Sequence, residues 1–192
     1  MNKQKQVEIL TKAIKTVLPK VIREVNEVSI EKGFPLLYRK PFKEYMKGEK
    51  NKGAQASKML SEIVGPVFIE FMEYECPDFI EYKERGSDFR FGDLLIEGKM
   101  SFGTCNSWLG NGFAKVPMHL LFKFHYDENG KITKAFVAFL DLDVSKSRWS
   151  KKSKTWNGSA LKIHRADRKR IVIVVGELQV NRKWAYPIPV VV

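Results

Sequence analysis

The 192-residue chain is poor in the residues on which several chemistries depend. Its two cysteines, Cys76 and Cys105, are too few for a disulfide scaffold and form no paired zinc motif. The three histidines, His119, His125 and His164, have no cysteine or carboxylate at zinc-ligand spacing and read as packing residues or as contacts to an anionic partner. No glycine-rich loop leads into Gly-Lys-Ser/Thr, which excludes a P-loop, and no nucleophilic serine elbow is visible. Long hydrophobic runs are missing too. The Ile171–Val175 run falls far short of the ~20 apolar residues that span a bilayer. The N-terminal segment is charged throughout and lacks the apolar core of a secretory signal.

Acidic residues are also in short supply. There are 22 Asp and Glu against 34 Lys and Arg, a formal charge of +12, which favours anionic partners such as nucleic acid. With 44% hydrophobic and 29% charged residues, the composition is that of a folded protein rather than a disordered tail. The length suits one domain covering 1–192. The expectation is a cytoplasmic protein with no membrane partner.

Hydrophobic spacing divides the chain. Val7, Leu10, Ile14, Val17, Val21 and Val25 recur at steps of three or four and predict an amphipathic helix, which Pro19 should kink or restart. A second helix is predicted over 54–75 with Met59, Ile63, Val67 and Phe71 as its stripe and a kink or break at Pro66. Residues 1–75 thus read as mainly helical and form the candidate dimerisation region. From Phe79 onward the period changes to two. Strands are predicted over 79–83, 88–91, 94–100, 120–126, 132–140 and 171–175, the last a buried strand. Gly92-Asp93 and Asp127-Glu128-Asn129-Gly130 supply hairpin turns. The segments 102–116 and 145–170 show no clear period. The fold class expected is α/β (α+β): a central mixed β-sheet flanked by helices, with N-terminal helices preceding the sheet.

The segment from Gly86 to Lys99 carries the chemistry. Residues two apart on a strand share a face, so Glu97 and Lys99 project together, and Asp88 on the preceding strand can lie across from them. Two carboxylates and an amine then converge. Such a cluster suits phosphodiester hydrolysis, because Mg²⁺ needs only one or two protein carboxylates and completes its shell with water and phosphate oxygens. Carboxylate-x-Lys is common by chance and recurs here as Glu81-x-Lys83 and Asp167-x-Lys169. What distinguishes Glu97-x-Lys99 is its place after the apolar run Leu94-Leu95-Ile96, where charges are costly unless partnered or used.

Asp88, eight residues and then Glu97-x-Lys99 resembles the bipartite motif of the PD-(D/E)xK nucleases, and the chain length resembles the small homodimeric type II restriction endonucleases. The similarity is sharpest over 86–101. It implies a restriction-endonuclease-like core, with 79–192 supplying the catalytic sheet and DNA-binding loops. It also implies Asp88 and Glu97 as Mg²⁺ ligands and Lys99 positioning the nucleophile, the three being the catalytic residues. Pro77-Asp78 offers Asp78 as an alternative metal aspartate, and no proline precedes Asp88.

Two loops carry candidate DNA contacts. Lys151, Lys152, Lys154, Trp156, Asn157 and Arg165 lie in the strongly basic 145–170 segment, and Asn106, Ser107, Asn111 and Lys115 follow the catalytic strand. The reading is a type II restriction endonuclease making Mg²⁺-dependent double-strand cuts at a short sequence in double-stranded DNA, as a homodimer. The alternatives are a repair, recombination or junction nuclease of the same superfamily, and a non-catalytic basic nucleic-acid-binding protein.

Overall fold

The structure, a computed structural model, describes residues 1–49, 52–84, 86–102, 108–110, 116–141, 159–161, 169–176, 179–181 and 184–185. Helices come first. α1 (Lys3–Glu24) is capped by Asn2, whose side-chain oxygen accepts from the Lys5 amide at 2.9 Å. It runs on into a π-helical stretch, Val25–Gly33, followed by α2 (Phe34–Tyr38), α3 (Phe42–Lys47) and α4 (Lys52–Glu75).

Every residue of the predicted α1 stripe is buried. Neither proline ends its helix, so the restart at Pro19 and the break at Pro66 do not occur: α1 continues through Pro19 and α4 through Pro66. Pro19 is exposed, so water can serve the carbonyl four residues earlier that loses its amide partner. The α4 stripe is rotated by about one residue. Ala56, Met59, Leu60, Val64, Phe68 and Met72 are buried, while Ile63, Val67 and Phe71 are only partly so. The helix is apolar over a wide arc, and Phe68 fixes its centre by packing on Phe79, Phe89 and Phe122 with ring centroids 4.8–6.2 Å apart.

The strands are β1 (Phe79–Glu81), β2 (Phe89–Phe91), β3 (Leu94–Phe102), β4 (Trp108–Gly110), β5 (Met118–Tyr126), β6 (Ile132–Asp141), β7 (Ser159–Leu161), β8 (Ile171–Val175), β9 (Gln179–Asn181) and β10 (Trp184–Ala185). Six form one mixed sheet in the order β1-β2-β3-β5-β6-β8. The β3–β5 pair is parallel and its other pairs are antiparallel, so the protein is α+β. β4 pairs with β7, and β9 with β10, as separate two-stranded units. The segments without a clear sequence period therefore contain short strands.

The sheet is covered on both faces, which is why β5 is buried at every residue from Met118 to Phe124. Ile96, Leu120, Phe122, Phe124, Val137 and Phe139 join the helices in the larger core. Leu121, Phe136, Ala138 and Leu140 meet Trp108 of β4 and Leu161 of β7 on the opposite face. The Trp108 indole N–H donates to the Phe122 carbonyl at 2.8 Å, tying β4 down onto β5. β8 corrects an expectation. It lies at one end of the six-stranded sheet, with only Val174 buried and Val172 45% exposed. Its β-branched run reads as a core strand, but edge position leaves one side of it without a covering strand. Among the described residues, no helix is long and apolar enough to cross a membrane.

Candidate functional site

The β2–β3 hairpin builds the site. Its turn uses Gly92 at φ +60°, a conformation L side chains rarely adopt, and Gln6 of α1 fastens it. The Gln6 amide nitrogen donates to the Phe91 carbonyl at 3.1 Å and to Asp93 Oδ1 at 2.5 Å. That bond holds the Asp93 carboxyl below the usual range. Asp93 is thus committed to the turn.

The register places Phe89 opposite Ile96, and the next step along brings Asp88 beside Glu97. The Asp88 amide donates to the Ile96 carbonyl at 2.9 Å. Its carboxylate Oδ2 accepts from the Gly98 amide at 2.8 Å, so a side chain continues the ladder where backbone pairing stops. Gly86, at φ +76°, turns the chain into this position, and Ser87 bonds back to the Glu84 carbonyl at 2.7 Å. The glycine between Glu97 and Lys99 is required by space: a Cβ at Gly98 would lie 2.7 Å from Phe89 Cε2. Burial pushes the Asp88 carboxyl above its ordinary pKa, against the pull of the Lys99 charge and the Gly98 amide.

Glu97 and Lys99 share the face that Asp88 joins. Lys99 Nζ pairs with Glu97 Oε1, and the side chains are only 15% and 13% exposed, lysine first. Glu97 Oε2 is buried and makes no hydrogen bond among the described residues. The parallel register sets His119 of β5 beside Glu97. The ring is 1% exposed, with Nε2 4.0 Å from Glu97 Oε2 and Nδ1 3.0 Å from the Pro117 carbonyl. Nδ1–H therefore donates to that carbonyl, leaving the lone pair of the neutral ring on Nε2. Burial holds the His119 pKa below the usual histidine range.

The three sequence candidates for catalysis, Asp88, Glu97 and Lys99, are thus brought together. Asp78 is not. It precedes Phe79, which pairs with Phe91, and so sits at the turn end of β2, about 13 Å along the strand direction from Asp88. Glu81 and Lys83 do form an ion pair at 2.9 Å, but at 43% and 77% exposure. The DNA-contact candidates at 106, 107, 111, 115, 151, 152, 154, 156, 157 and 165 lie outside the described residues.

His119 is the member that sequence reasoning missed as a site residue. Its neighbour in space is 22 positions earlier in the chain, across a parallel crossover with no local signal. The partners Gln6 and Asp93 were equally out of reach, being joined across 87 positions.

With Asp88 and Glu97 as −1 each, Lys99 as +1 and His119 as neutral, these four side chains sum to −1. A divalent cation at the carboxylates would raise the sum to +1, which a substrate phosphate can offset, and would engage the unbonded Glu97 oxygen. Among the described residues no group of three or more His, Cys, Asp or Glu is placed to hold a metal. Two carboxylates are a donor set that Mg²⁺ accepts, with water and phosphate oxygens completing its shell. No family model matches the chain, and comparisons with curated proteins and with solved structures give no significant similarity.

Proposed function

We propose that the protein is a Mg²⁺-dependent endodeoxyribonuclease acting on double-stranded DNA, and that its biological form is a homodimeric restriction endonuclease of the type II class. The observation that carries this reading is the hairpin that puts Asp88, Glu97 and Lys99 on one face, with both charged side chains of β3 largely withdrawn from water. Charges in that setting are costly unless partnered or used.

Asp88 and Glu97 would hold the ion, which when bound supplies Lewis-acid stabilisation of charge on phosphorus and acidifies a coordinated water. The Gly98 amide fixes the Asp88 carboxylate through Oδ2, so this ligand is oriented before the substrate arrives. Lys99 spends one of its three N–H donors on Glu97 Oε1 and keeps the others for the attacking water and a phosphate oxygen. Water adds to phosphorus and gives up a proton to solvent as the P–O bond to one deoxyribose breaks, and the leaving oxygen takes a proton from solvent. The net charge of +12 raises the local concentration of DNA, whatever its sequence.

The direct Lys99–Glu97 pair favours a second reading, in which the cluster is a structural ion pair of a non-catalytic nucleic-acid-binding protein. Incubating the purified protein with plasmid and phage DNA, with Mg²⁺ or with EDTA, separates the readings. Discrete fragments formed only with Mg²⁺ are expected. A metal-dependent smear would assign a nuclease that reads DNA shape, and intact but gel-retarded DNA would assign the binding protein.

A further inference from the structure

A concavity lies on the helix-covered side of the sheet, between α1 and the β8 edge. Its volume is about 700 Å³, within the range of small-ligand sites. The walls are apolar where Val7, Met118, Phe139 and Val172 line them, and α1 adds Thr11 and the carboxylate of Glu8, to which the Gln4 amide donates at 3.3 Å. Lysine and arginine dominate the rim. Lys3 is matched by Asp141 at 2.6 Å, but Lys12, Lys15, Lys169 and Arg170 have no ion-pair partner among the described residues.

We propose that this trough binds an unpaired nucleotide of a nucleic-acid strand, its base against the apolar wall and its phosphates on the four cations. An apolar slot flanked by cations is the arrangement single strands use, since every base has a face to bury and every linkage a charge. Thr11 Oγ1 is buried and makes no hydrogen bond among the described residues, so a base edge could satisfy it where an acyl chain would not. A duplex offers no such face, because its bases are stacked and paired.

The trough also lies close to the candidate site. Met118 in its wall is the chain neighbour of His119, which points to the other face. Arg170 precedes Ile171, and the register row from Ile171 runs through Leu140 and His119 to Glu97. Three strand spacings make that row about 14 Å long within the sheet, the trough and the candidate cluster lying on its opposite faces. The inference rests on the proposed nucleic-acid function.

The test is fluorescence anisotropy in EDTA, so that cleavage plays no part, with a blunt DNA duplex and the same duplex carrying a four-nucleotide single-stranded extension. The extension is expected to tighten binding by about tenfold. Val172→Asp, at a position already 45% exposed, should abolish that gain while leaving blunt-duplex affinity within twofold. Lys12→Glu with Lys15→Glu, both on α1, should abolish the same gain. Equal binding of the two duplexes would overturn the trough while leaving the nucleic-acid reading intact. Failure to bind either duplex would overturn both. Displacement of the extended duplex by an equal nucleotide concentration of free mononucleotide would assign the trough to a free nucleotide and overturn the strand proposal.

Discussion

The chain presents the same pattern, carboxylate-x-lysine, on two strands of one sheet separated by a single strand. Glu81 and Lys83 sit on and just beyond β1, the strand at one end of the sheet, paired at 2.9 Å and exposed by 43% and 77%. Glu97 and Lys99 sit on β3, between β2 and β5, and are exposed by only 13% and 15%. In sequence the two look alike. Water screens the first pair and gives it little energetic weight. The second has lost most of its hydration and must be stabilised by its partners, by Asp88 and the Gly98 amide, or by a ligand. Chemical capacity here follows strand position rather than spacing.

That contrast can be broken by substitution. Lys99→Gln keeps the stem and a donor to Glu97 but removes the charge; DNA cleavage should fall about 100- to 1,000-fold, roughly 2.7–4 kcal/mol, in a single-turnover plasmid assay with an unchanged circular dichroism spectrum. Gly98→Ala acts on the packing that allows the motif to form. Its Cβ would meet the Phe89 ring at 2.7 Å, so stability should drop by about 1–3 kcal/mol in urea unfolding. Phe89→Leu in the same chain should recover part of that loss, which identifies the ring as the obstacle. Trp108→Phe removes the indole bond that holds β4 onto β5 and should cost about 1 kcal/mol by the same measurement. The smallest effect belongs to the outer pair: Lys83→Gln should leave the cleavage rate within twofold, and a large loss there would erase the distinction drawn between the strands.

The hairpin was legible in the sequence because everything that makes it is local. Period-two alternation, the Gly92 turn and the Gly86 entry all lie between Gly86 and Lys99, and they suffice to align Asp88 with Glu97. The α1 stripe was legible for the same reason, a single narrow row of apolar residues. Where several rows are apolar, as on α4, periodicity gives the helix but not the residues at the centre of its buried arc. The helix prolines and the β8 run share a different cause. Residue type records a preference, whereas helix termination and burial depend on what the fold sets against that residue. His119 depends on pairing across a crossover, and no spacing rule reaches it.

The central claim is that the β2–β3 cluster is a metal-dependent site for cutting DNA, and Asp88→Asn tests it most directly. The asparagine retains an oxygen to accept from the Gly98 amide, so the hairpin can keep its bond while one metal ligand loses its charge. Cleavage and binding of one DNA substrate should be measured side by side, with Mg²⁺ for the first and EDTA for the second. The account predicts that Asp88→Asn binds DNA within a few-fold of the wild type and cleaves it at least about 100-fold more slowly. Wild-type cleavage by Asp88→Asn, or no Mg²⁺-dependent cleavage by the wild type itself, would contradict it.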